Sequence, residues 1–172
     1  WMVRFSGGGM VAEAGAVETE LYNILTGDYI RSEVVYSDEN APNGFVTMQQ
    51  AQQRRPIIKV DVSSDIPKIK AEIFLEADLR TVSEDYLLEE DVDNFENNVK
   101  NKIKKAAEDF LYKTSREYKS DIVGFGSYAK RYFAAFEDFK AYNWQEKYTR
   151  AEFEVVVNFH MRRSGLIDRQ RG

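Results

Sequence analysis

Lys68-Ile-Lys-Ala-Glu-Ile-Phe-Leu-Glu-Ala-Asp-Leu-Arg80 decides the fold. Ala71, Ile73, Leu75, Ala77 and Leu79 point one way along an extended chain, and Lys70, Glu72, Glu76, Asp78 and Arg80 point the other. Such alternation describes a strand with one dry and one wet face, and implies an antiparallel sheet covered on one side. Residues 56–62 share the pattern, with Ile58, Val60 and Val62 opposed to Lys59 and Asp61. Asp65-Ile-Pro67 marks the connection between the two strands. The pattern returns over residues 149–163, where Phe153, Val155, Val157, Phe159 and Met161 alternate with Glu152, Glu154, Asn158, His160 and Arg162.

Between these strands the period changes. Val92, Phe95, Val99, Ile103, Ala106 and Phe110 form one stripe and predict a long helix over about 89–119. Glu89, Glu90, Asp91 and Asp93 crowd its start, in agreement with the helix dipole. Tyr132, Phe133, Phe136 and Phe139 predict a second, aromatic helix over 128–142, with Ser127 as its cap. Between the two helices, Asp121 reads as an N-cap, and Gly124 and Gly126 bracket Phe125 as a turn with close backbone approach around a buried aromatic. Upstream, Val17, Leu21, Ile24 and Leu25 predict a helix stopped by Gly27, and residues 29–36 predict a strand. Residues 37–44 read as a polar loop turning at Asn43-Gly44, and residues 49–55 as loop or sheet edge. The fold class is α+β: an antiparallel sheet of about four strands with a long helix and a second aromatic helix packed on one face. Residues 1–12 read as a non-native remnant or loop, and residues 13–48 as the remnant of a preceding domain or a leading helix and strand. Residues 49–167 read as one C-terminal domain and 168–172 as a disordered tail. The start at Trp1 rather than Met implies a trimmed chain.

Composition excludes several function classes. The chain of 172 residues is long enough to bury roughly 70% of its unfolded surface in a core of its own. It contains no cysteine, hence no disulfide, thiolate zinc site or cysteine nucleophile. A net charge of −5 argues against nucleic acid. No apolar run approaches the ~20 residues that span a bilayer. Ser6-Gly-Gly-Gly9 lacks the Lys-Ser/Thr of a phosphate loop, and Gly124-Phe-Gly126 lacks the third glycine of a dinucleotide fingerprint. The acidic run Glu84, Asp85, Glu89, Glu90, Asp91 and Asp93 lacks calcium-loop spacing and reads as a solvated helix start. His160 is the only histidine and sits on the wet face of the last strand, without a nucleophile in a recognised motif. Glu72 and Glu76 share a strand face and are expected to pair with basic groups of neighbouring strands. Lys100, Lys102, Lys104 and Lys105 form a basic patch, read as a wet helix face that could also meet an anionic surface. No catalytic residue, metal ligand or cofactor site emerges. The pattern predicts a binding module rather than an enzyme.

From about Ile103 onward the chain resembles the C-terminal domain of the Ger(x)C family, the C-subunit lipoproteins of bacterial spore germinant receptors. The residues that carry the likeness are the lysine-rich helix, Asp121-Ile-x-Gly124-Phe125-Gly126, Tyr132, Trp144 and the closing Arg162-Arg163-Ser-Gly165-Leu-Ile. The strands over 56–62 and 68–79 are similar in order and spacing to those that precede this helix in the family. Phe136 or Phe139 stands where the family often has a further tryptophan, and the family's lipid-bearing cysteine and N-terminal domains are absent from this sequence. The resemblance implies a non-catalytic part of a lipoprotein on the outer face of the spore inner membrane, acting in nutrient-triggered germination. It implies two membrane-embedded partners, the A and B subunits, and membrane attachment through a lipid anchor that this chain lacks. It assigns Asp121, Gly124, Phe125, Gly126, Trp144, Arg163 and Gly165 a structural role, and no cofactor. A small-nutrient binding module outside the cytoplasm is the alternative.

Overall fold

The alternation of residues 68–80 is realised in a strand whose inner residues Ile69, Ala71, Ile73, Leu75, Ala77 and Leu79 are all at most 2% exposed. The computed structural model describes residues 2–6, 9–10, 14–38, 41–83 and 92–162. In chain order the elements are β1 (Met2–Ser6), β2 (Gly9–Met10), α1 (Ala14–Thr26), β3 (Arg31–Asp38), β4 (Ala41–Asp61), β5 (Lys68–Val82) and α2 (Val92–Arg116). After these come α3 (Gly126–Ala129), a 3-10 turn (Lys130–Tyr132), α4 (Phe136–Tyr142), α5 (Trp144–Tyr148) and β6 (Glu152–Arg162).

The sheet runs in the order β2-β1-β3-β4-β5-β6. Four strands of eight residues or more, β3 to β6, carry it, and the fold is α+β as the sequence predicts. The pairing is mostly antiparallel, but β6 returns parallel to β5 and β1 lies parallel to β3. The parallel return follows from the connection: α2 carries the chain back along the sheet before β6 begins, as a crossover helix does.

α1 and α2 cover one face. Val17, Leu21, Ile24 and Leu25 of α1, and Phe95, Val99, Ile103, Phe110 and Leu111 of α2, join the inner strand residues in a single core. Each such side chain contributes about 1.5–3 kcal/mol when fully buried. Ala107 rather than Ala106 is fully buried on α2. The opposite face of the sheet is mostly wet among the described residues, although Thr47 and Phe74 are buried there. Phe74 stands in the outer register yet is only 6% exposed, because the Arg54 guanidinium lies 3.7 Å over its ring.

Three local expectations change. The segment 49–55 is neither loop nor sheet edge: β4 runs unbroken from Ala41 to Asp61 between β3 and β5. Its register shifts near Met48, Gln52 and Arg54 bend the strand and blur the two-residue period. Asn43 and Gly44 lie inside β4 rather than in a turn. The segment 128–142 is broken at Phe133 and Ala135, both extended in backbone, and then at Asn143, which is left-handed. Phe133 packs on Phe139 and Tyr142 at 5.5 and 5.1 Å, while Tyr132 and Phe136 face outward, 65% and 60% exposed.

Candidate functional site

The turn after α2 is organised by one carboxylate. Beyond the end of α2 at Arg116, Lys119 takes a positive φ of 50°, and the Ser120 N–H reaches back to the Thr114 carbonyl at 3.0 Å. Asp121 then curls over the next turn. Its Oδ1 accepts the N–H groups of Gly124 and Phe125 at 3.0 and 2.9 Å. Its Oδ2 accepts the Gly126 N–H at 2.6 Å and the Trp144 Nε1–H at 2.9 Å. Four donors on one ionised group are charge-assisted bonds, stronger than neutral ones. Asp121 thus does more than cap: it ties the turn to a tryptophan 23 positions further along the chain.

The glycines fit this geometry in different ways. Gly124 has φ +87°, the left-handed region, with open space around its Cα. Gly126 has no such backbone need. A Cβ there would stand 2.8 Å from Trp144 Nε1 and 3.3 Å from Asp121 Oδ2. Phe125, 0% exposed, packs on Tyr148 and Phe153 at 6.5 and 6.4 Å between ring centres. Tyr148 meets Trp144 and Phe153, and its hydroxyl bonds Thr114 Oγ1 at 2.6 Å inside the core. Burial pushes the Tyr148 phenol well above its ordinary value. The arrangement joins α2, the turn, α5 and β6. It ties these donors and rings into one packed unit.

Asp121, Gly124, Phe125, Gly126 and Trp144 therefore meet at one place. Arg163, Gly165 and the tail 168–172 lie outside the described residues, as does most of the acidic run before α2. Tyr148 and Thr114 escaped the sequence-level view. Tyr148 was legible only as a residue four after Trp144, on the same side of a helix.

A second buried polar group lies under α1. Glu20 is 8% exposed and accepts the Ser32 hydroxyl at 2.9 Å through Oε1, while Oε2 has no partner among the described residues. Tyr29 OH bonds Ser32 Oγ at 2.6 Å, and Tyr36 OH donates to Gln50 Oε1 at 3.0 Å. Desolvation raises the Glu20 carboxyl above its ordinary value, against the lowering effect of the Ser32 bond.

The outer face carries an open groove of about 530 Å³ at the end of the sheet. Lys59, Lys70 and Glu154 form one cross-strand row, and Asp61, Lys68 and Glu152 the next. Tyr132 borders the groove, and Lys70 bonds Glu154 at 2.7 Å. Further along this face Glu76 pairs with Arg162 at 2.6 Å, and Glu72 accepts from Asn158 at 2.9 Å. His160 is exposed, with Nδ1 3.8 Å from Glu96. The lysines of α2 are engaged: Lys100 with Glu96, Lys104 with Glu108, Lys105 with Asp109, and Lys102 with the Ser37 carbonyl. No three His, Asp or Glu side chains gather as a metal set among the described residues. No helix among them is long and apolar enough to cross a membrane.

Fold and site define an α+β domain fixed by a carboxylate hub, with charged strands left open on one face. The profile of the family described as Spore germination B3/GerAC like, C-terminal, matches residues 2–165, and the chain belongs to that family. Among solved structures it is similar to the crystal structure of the GerBC protein, with a TM-score of 0.70 at 16% sequence identity. The match covers 88% of this chain and 47% of GerBC, so the chain spans about half the length of that protein. At this identity the likeness is one of fold. No curated protein matches the sequence.

Proposed function

We propose that this chain is the C-terminal domain of a spore germinant receptor C subunit, and that it works without catalysis, through protein–protein contacts. The observation that carries this is the family match over residues 2–165. The geometry supports the contact role. Tyr132 and Phe136 stand out beside the packed rings of Phe133, Phe139 and Tyr142, and Lys130 sits 5.0 Å over the Phe136 ring. Aromatic side chains are enriched at the centres of protein interfaces. The partners are the membrane-embedded A and B subunits. The parent protein is held on the outer face of the spore inner membrane by a lipid anchor outside this chain. Copurification of the full-length protein with both subunits from solubilised membranes tests this. Retention of A and B supports docking, and their loss under conditions that keep A bound to B contradicts it.

The groove beside Lys59, Lys70 and Glu154 favours a second reading, a module that holds a small nutrient itself. A thermal shift with amino acids or sugars, saturating with concentration, would support that alternative.

A further inference from the structure

β6 is an edge strand, paired with β5 on one side and with no described strand on the other. Parallel pairing turns alternate residues outward, so Phe153, Val155, Val157, Phe159 and Met161 present their backbone groups to the edge. An edge of eleven residues is a template for another chain. This strand is also complementary to itself. Laid antiparallel to a second copy about Val157, it would set Phe153 against Met161 and Val155 against Phe159 as hydrogen-bonded pairs. Glu152 would then oppose Arg162, and Glu154 would oppose His160, each an opposite-charge or polar pair.

Side chains of α2 already occupy that edge. Glu96 Oε1 accepts the Met161 N–H at 2.8 Å, Glu108 Oε1 the Val155 N–H at 3.1 Å, and Tyr112 OH the Phe153 N–H at 3.4 Å. Arg116 donates to the Ala151 carbonyl at 3.0 Å and to that of Thr149. Glu108, Tyr112 and Arg116 recur every four residues, along one stripe of the helix. We propose that Glu96, Glu108, Tyr112 and Arg116 guard the β6 edge against pairing with a second copy of this chain. They imitate the acceptors and donors that a further strand would bring, and hold α2 across its path.

The test is sedimentation velocity of the 172-residue chain over a concentration series. The native chain is expected to stay monomeric. Glu96→Ala/Glu108→Ala/Tyr112→Phe is expected to dimerise as concentration rises, whereas Glu96→Gln/Glu108→Gln, which keeps both carbonyl acceptors, stays monomeric. A folded triple variant that remains monomeric overturns the proposal, as does a native chain that dimerises through β6. Should the triple variant fail to fold, amide exchange decides. Glu108→Ala is expected to speed exchange at Val155 by about tenfold or more, and an unchanged rate overturns the guard.

Discussion

Trp144 donates its indole N–H to Asp121 Oδ2 at 2.9 Å, on the same oxygen that takes the Gly126 N–H at 2.6 Å. One carboxylate thereby fixes the turn after α2 and the helix that leads into β6. Asp121→Ala leaves four N–H donors without their acceptor, and is expected to cost about 2–4 kcal/mol of unfolding free energy in urea titration. Trp144→Phe keeps an aromatic ring but removes the indole N–H and part of the buried ring system, for about 1–3 kcal/mol. The two changes share a bond, so the double variant is expected to lose less than the sum of the singles.

Gly124 and Gly126 are expected to fail for different reasons. Gly126→Ala drives a methyl into Trp144 and Asp121, and is expected to cost about 1–3 kcal/mol. Its tryptophan emission should shift, because the indole must move. Gly124→Ala meets no neighbour, but holds a positive φ, at a cost of about 1–2 kcal/mol. Its emission should match the native chain. Equal spectral changes in the two variants would contradict the close approach at Gly126.

Glu20 makes stability depend on pH in an unusual direction for a carboxylate. Its folded value is raised by burial, so the folded chain keeps the proton to higher pH than the unfolded chain does. The advantage of the neutral form is complete below the ordinary carboxylate value, and is lost as pH rises through the raised folded value. Glu20→Gln stays neutral throughout. It is expected to melt higher than the native chain at pH 7, with the gap closing towards pH 4. A gap that does not change with pH would show that the Glu20 carboxyl holds its proton equally well in the folded and unfolded chains, and would contradict the raised folded value.

Much of the fold was legible because β5, β6 and α2 each bury one clean face. Leu75 and Phe159 lie on the dry side that alternation assigns them, and Val99 and Ile103 on the packed side of the helix. The end of β4 over 56–61 was legible, but its stretch 49–55 was not, because its inner Gln50 is polar yet 1% exposed, satisfied by bonds with Tyr36 and Tyr29. Register shifts then displace Arg54 and Ile57 from the simple period. The aromatic spacing of Tyr132, Phe136 and Phe139 imitated a helix, while the backbone turns extended at Phe133 and Ala135. Asp121, Gly124 and Gly126 were visible as a turn. That their partner is the Trp144 N–H was not, because a contact across 23 residues leaves no local period.

A docking role for this domain is tested most directly by substituting its two outward aromatics. Full-length protein carrying Tyr132→Ser and Phe136→Ser should melt at the native temperature, since both side chains are mostly exposed. It is expected to retain the A and B subunits at least about tenfold less well than native protein does, as hot-spot aromatics require. Undiminished retention by the double variant, together with a saturable thermal shift of the native chain by a nutrient, would contradict docking through this surface and favour the binding module.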